Sequence, residues 1–249
     1  MSGRAGRPGP KPRLSPELIV EAAFRVTERG GAAALSFTAL GRELGAHPTA
    51  VYRHFRDRDD LMRSLVDALQ GEVLAELPAD PPEDWAEELR ARDMVTHEVF
   101  MRHPQIAQEA SVRTARLPNE YRIIDQVIGI FRRAGFSDQD AARYYRVFSD
   151  FVMAYSAQDA ALEALHPETR AGDLAAWQHE YRTLDPAEYP NIAAVAPSLP
   201  ALDDPGNFAL AVDLMLEGLQ GRHAAAMAAR AADAEPESEA AAVPGTVES

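Results

Sequence analysis

The chain contains no cysteine. That excludes disulfide scaffolds, cysteine nucleophiles and thiolate metal sites, and it suits a reducing compartment. No apolar run approaches the ~20 residues that a membrane helix needs. The arginines at the N-terminus are followed by no apolar signal core. A cytoplasmic protein that stays off the membrane is the expectation. No stretch alternates apolar and polar residues with β-branched enrichment, and no internal repeat stands out. Catalytic signatures are missing as well: there is no glycine-rich phosphate loop, no HExxH, no G-x-S-x-G and no paired Glu-x-x-His. The seven histidines are scattered, and several abut turns, as at His103–Pro104 and His166–Pro167. An enzyme, a metal site and a cofactor are therefore not expected.

Positive charge is also scarce overall, with 25 Lys and Arg against 39 Asp and Glu and a net charge of −14. It is unevenly spread. Residues 1–65 hold 11 basic and 7 acidic residues, and the remainder holds 14 and 32. A basic end on an acidic body is the asymmetry of a protein that meets nucleic acid at one end only.

What is present reads as helix throughout. Residues 1–14, MSGRAGRPGPKPRL, carry four basic residues and no acid, and read as a flexible basic arm. Ser15, Pro16 and Glu17 open the first helix, Ile19, Ala22, Ala23 and Val26 recur at helical spacing, and Gly30–Gly31 ends it. A second helix runs from Ser36 to Gly45 and a third starts at Pro48. A longer fourth carries Leu61, Leu65, Val66, Leu69 and Val73 inward until Pro78. The break at 78–82, PADPP, divides a head of 15–78 from a helical body of 83–230. Asp84 and Ser137 read as N-caps within that body, and Tyr121, Ile124, Ile128 and Phe131 as the stripe of a helix between them. Residues 185–205 read as a proline-broken loop, and 231–249 as a disordered tail.

Residues 36–55 carry the functional signal. Two short helices joined by a three-residue turn with glycine describe a helix-turn-helix. Leu40, Leu44, Val51 and Phe55 are spaced to share a core with the first helix. That leaves His47, Pro48, Thr49, Tyr52, Arg53 and His54 on the outer or N-terminal side of the third helix, with Thr49, Tyr52 and Arg53 on one face. The start of such a helix is where base edges and phosphates are reached. Threonine meets thymine methyls, arginine bridges guanine, and tyrosine and histidine grip phosphates. Ser36 and Thr38 are placed to anchor the adjacent DNA backbone, and Arg58 lies just past the reading helix. A helical adaptor whose hairpin binds protein would share the hairpin but lack salt-dependent affinity for duplex DNA.

The run Gly45-Ala-His-Pro-Thr-Ala-Val-Tyr52-Arg-His54-Phe55, followed by Arg58 and Leu61, resembles the DNA-binding domain of the TetR (tetracycline-repressor-like) family. Thr38 and His47 depart from it, since the family often has Arg or Lys at the first position and Ser at the second. The resemblance implies an all-α fold: an N-terminal helix-turn-helix domain and a larger C-terminal ligand-binding and dimerisation domain. It implies a homodimeric transcriptional regulator, a repressor more often than an activator, that grips a palindromic double-stranded operator and releases it when a small molecule binds. The helices at about 138–164 and 206–225 would form the dimer, although their apolar stripes also suit intrachain core. Large apolar groups with polar tips suggest a pocket from Trp85, Met94, His97, Met101, Tyr121, Phe148, Phe151 and Tyr155.

Overall fold

The computed structural model describes residues 14–199 and 201–240. Apart from Leu14, the basic arm expected over 1–14 lies outside the described residues, as does the tail from 241 to 249. Among the described residues there are eleven α-helices, three 3-10 turns and no strand.

The N-terminal end follows its capping signals closely. Helix α1 (Pro16–Gly30) begins where Ser15 Oγ accepts the Leu18 amide at 3.3 Å, and it stops at Gly31, whose φ is +71°. Helices α2 (Phe37–Leu44) and α3 (Pro48–Val51) follow, then α4 (Arg58–Glu76), whose N-cap Asp57 accepts the Asp60 amide at 2.8 Å. Only four residues of α3 are regular helix, and the chain continues through turns to Phe55.

The body contains α5 (Trp85–Arg102), α6 (Pro104–Ala110), α7 (Pro118–Arg133) and α8 (Asp138–Glu163), then α9 (Pro167–His179), α10 (Pro190–Val195) and α11 (Gly206–Ala240). Asp84 caps α5 by accepting the Ala86 and Glu87 amides at 2.9 and 3.0 Å, and Ser137 caps α8 by accepting the Asp140 amide at 3.1 Å. Two expectations change. The segment 185–205 contains α10, because Pro190 occupies a first-turn position where its missing N–H costs nothing. The last helix continues to Ala240, into the segment expected to be disordered; alanine, the strongest helix former, is dense up to Ala234, and Pro236 lies in the last turns.

Two apolar cores organise these helices. One joins Ile19, Ala23, Leu40, Val51 and Phe55 of the head to Leu61, Leu65 and Leu69 of α4, and continues to Phe100, Ile106 and Ala160 of the body. It crosses the break at 78–82, so α4 belongs to both parts. The other holds α5, α7, α8 and α11 together through Leu89, Phe131, Phe148, Phe208 and Leu216. Each fully buried Leu or Phe contributes about 1.5–3 kcal/mol. Among the described residues no helix is long and apolar enough to cross a membrane.

Candidate nucleic-acid interface and cavity

Close packing between α2 and α3 builds the head. Gly45 ends α2 in the left-handed region, φ +59° and ψ +34°, and the next amide, Ala46 N, donates back to Gly41 O at 2.8 Å. This is the reversal that glycine makes at a helix C-terminus. Gly41 is needed for a second reason. A Cβ there would stand 2.8 Å from Ala46 O and 3.2 Å from Pro48 Cδ, so the two helices approach only because that atom is missing.

His47 caps α3. Its Nδ1 accepts the Thr49 amide at 3.3 Å and lies 2.9 Å from Thr49 Oγ1. The histidine thus does the work of the serine common at this place in the resembling family. Val51 and Phe55 are buried, as expected, and Thr49, Tyr52, Arg53 and His54 are exposed. Tyr52 is 58% exposed, and its ring stands edge-on to Phe37 with centroids 4.3 Å apart. It is aromatic surface held rigidly by the core beneath. Ser36 and Thr38 are exposed beside this face, and Ser36 Oγ also caps α2 by accepting the Ala39 amide at 3.1 Å.

Arg58, expected beside the DNA, is exposed and also bonds within the head. Its Nη2 donates to Ala32 O at 2.7 Å and its Nε to Leu35 O at 3.3 Å, which ties the start of α4 to the turn before α2. The acids near the reading helix are also engaged. Asp60 accepts the Arg56 amide and pairs with Arg63, while Asp59 binds Arg63 and Arg113. Hydrogen bonds from these arginines and from the backbone hold both carboxyls below their ordinary range.

A cavity of about 210 Å³ lies in the body between α4, α5, α7 and α8. Val73, Phe100, Ile123, Val127 and Val152 supply apolar wall, and Thr96, Tyr145 and Ser149 supply polar tips. Gln70 and Asp93 also border it, both more than nine-tenths buried. Neither Gln70 Oε1 nor Asp93 Oδ2 has a hydrogen-bond partner. Burial pushes the Asp93 carboxyl well above the usual carboxylate range, although Arg92 beside it acts in the opposite sense. The other acids of the lining are satisfied. Glu120 accepts the Ala115 and Arg116 amides at 2.9 and 2.7 Å, and Asp150 pairs with Arg146 at 2.8 Å.

Both parts of the chain match known families. Residues 19–65 match the bacterial regulatory proteins of the tetR family, and 77–222 match the tetracyclin repressor-like C-terminal domain. The chain belongs to the TetR family. It is a DNA-binding transcriptional regulator of that family, as the helix-turn-helix residues implied. An HTH-type transcriptional regulator of Saccharopolyspora erythraea is 29% identical over 188 residues, covering 76% of this chain and 77% of that one. The HTH-type transcriptional repressor DrrR1 of Streptomyces coeruleorubidus is 24% identical, with 88% and 82% covered. The TetR-family protein ActR of Streptomyces coelicolor, solved in complex with actinorhodin, superposes with a TM-score of 0.72 at 25% identity, over 84% of this chain and 98% of that one.

Within this TetR-family body, none of the eight residues expected to form the pocket is among those lining the cavity. Trp85 packs against Phe131, Phe136 and His223, while Met94 and Phe148 belong to the bundle core. Met101 packs against the head-side core. His97 stacks on Phe208 with centroids 4.0 Å apart, and Phe151 and Tyr155 complete that aromatic group. His97 Nδ1 also lies 3.3 Å from Ser156 Oγ, but Ser156 is fully buried, so the pair is packing. Tyr121 is 56% exposed. The physical reason is shared by seven of them, whose large side chains at helical spacing pack against the two cores; Tyr121 instead faces outward. The missed residues did carry a signal. Asp93 sits four after Leu89 and seven before Phe100, an acid inside a buried stripe.

Helices α8 and α11 lie side by side and show an apolar outer face. Val147, Leu210 and Leu214 are 55%, 58% and 59% exposed, and Val147 and Leu214 line a shallow groove with Tyr144, Met215 and Gly218 that Arg143 and Arg222 also border.

Proposed function

We propose that the protein is a homodimeric repressor that grips a roughly palindromic operator and releases it when a small molecule fills the cavity. Such a regulator works in the cytoplasm, where the DNA is. One observation carries the reading: α4 is shared. Its first half, Leu61, Met62 and Leu65, lies in the core of the head, and its second half borders the cavity with Gln70 and Val73. A ligand that displaces Gln70 moves a helix whose other end holds the reading helix. A second link runs through Arg113, which borders the cavity and binds Asp59 at the start of α4. Two heads must sit about 34 Å apart to enter successive turns of one face of DNA, so a small change at α4 is enough to spoil the fit. ActR, solved with actinorhodin bound, supports a small-molecule effector, and DrrR1 supports repression.

In the proposed interface Tyr52 and His54 meet phosphates while Thr49 and Arg53 meet base edges, with Ser36, Thr38 and His47 at the flanks. The dimer uses α8 and α11, whose exposed Val147, Leu210 and Leu214 need an apolar partner. Selection of bound sequences from random duplex DNA tests the reading. Enrichment of a two-fold symmetric site, with affinity that falls steeply as salt rises, is the expected result. Arg53→Ala should weaken that binding by about 1–3 kcal/mol and relax specificity at one position of each half-site. Failure to enrich any sequence would sink the proposal.

A further inference from the structure

The cavity holds an unmet chemical demand. Three carboxyl groups border it, and two are answered: Glu120 by two backbone amides, Asp150 by Arg146. Asp93 is not. Its Oδ2 is sealed from bulk water and accepts no hydrogen bond. Arg92, the cation that acts on it, donates from Nη2 to Gln126 Oε1 at 2.7 Å. The other arginines of the lining are committed too, Arg146 to Asp150 and Arg113 to Asp59 and Glu109. On α4, Gln70 Oε1 is a second buried acceptor without a donor. Buried acceptors are almost always satisfied in native proteins, and an orphan calls for a specific explanation. Two of them on one cavity, whose wall is part apolar and part polar, point to what is missing, a hydrogen-bond donor carried on a body that can meet the apolar part.

We propose that the cavity takes an amphiphilic small molecule with a cationic amine head, the head seated on Asp93 with Gln70 as its second acceptor and the apolar body against Val73, Val127 and Val152. A cation is favoured over a neutral donor because it restores the charge that burial suppresses on Asp93, and a buried ion is stable chiefly when paired. An anionic head would bring no donor to the bare acceptors of Asp93 and Gln70, and of the lining arginines Arg113 and Arg146 are already paired with acids while Arg92 bonds the neutral Gln126. This assignment rests on the reading of the cavity as the effector site, and it deepens that reading to a ligand class.

The test uses the full-length chain and three probes of one shape: 1-naphthylmethylamine, 1-naphthalenemethanol and 1-naphthoic acid, with affinities from calorimetry. The amine should bind about tenfold tighter than the alcohol, ~1.4 kcal/mol, with the acid weakest. Asp93→Asn should abolish the advantage of the amine while the alcohol still binds. Gln70→Met, nearly the same shape, should weaken amine and alcohol alike, which keeps the test open if the first variant folds poorly. Binding of the acid as tight as the amine, an amine preference that survives Asp93→Asn, or no binding by any probe would each overturn the assignment. Operator binding by the same preparation without probe reports separately on the regulator, so the two readings fail independently.

Discussion

Gly41 and Asp93 are single residues on which much depends, one by what it lacks and one by what it buries. Replacing Gly41 by alanine puts a Cβ 2.8 Å from a backbone carbonyl that cannot swing aside. Gly41→Ala should destabilise the head by about 1–3 kcal/mol, read by thermal unfolding, and reduce operator affinity with it. Asp93 makes stability depend on pH. Its native carboxyl titrates well above its unfolded value, so between those values the folded chain holds a proton that the unfolded chain has lost. Its contribution is therefore most favourable in acid and is lost as pH rises through the native value. Asp93→Asn has no such loss, so from about pH 5 to about pH 8 the difference in Tm should move in favour of the variant. A constant difference would show that Asp93 keeps its ordinary pKa. Both residues were visible in the sequence, but only as a glycine within a helix and an acid on an apolar stripe. The atoms that make them matter come from other segments.

At the level of elements, α4 and α7 are joined by one side chain. Asp67 Oδ1, on α4, accepts the Asn119 and Glu120 amides at 2.9 and 3.0 Å and so caps the first turn of α7 from outside. Asp67→Ala leaves the buried Glu120 amide and the half-buried Asn119 amide unmet and should cost about 1–3 kcal/mol, most of it from Glu120. It should also weaken the effect of any cavity ligand on operator affinity more than it weakens operator affinity itself. A fluorescence anisotropy titration with and without ligand separates the two effects. The helices themselves were legible because their signals are local: Ser15, Ser36, Asp84 and Ser137 all cap where expected, and Gly31 and Gly45 terminate where expected. Which helix meets which was not legible. Periodicity identifies a buried face but says nothing of its neighbour. Tyr121 shows this: it heads an apolar stripe of α7 yet is exposed, and Val127, Ile130 and Phe131 point to the core.

At the scale of the whole molecule, the proposed dimer places two acidic bodies on one side and two basic heads on the other. Leu210, Leu214 and Gly218 recur every four residues along α11, and Gly218 has open space around it, so a partner helix can approach closely there. Leu214→Glu should disrupt a dimer built on this face without disturbing the fold, because the side chain is exposed in the single chain. Sedimentation should then report a monomer with unchanged helicity, and operator affinity should fall by orders of magnitude, since one head alone has half the contacts. A variant that remains a dimer would move the interface elsewhere.

By itself the sequence determined that the protein is helical, where most helices begin and end, and that it is a TetR-family regulator with a helix-turn-helix near its N-terminus. Caps, glycine turns and helical spacing act over a few residues, so they can be read along the chain. The tertiary structure alone decided that Arg58 ties the start of α4 to the turn before α2, that α4 serves both parts, and that the cavity is bordered by Gln70, Asp93, Phe100 and Tyr145 and by none of the eight residues expected there. Those outcomes depend on contacts between residues far apart in sequence, and a cavity is the space that packing leaves unfilled.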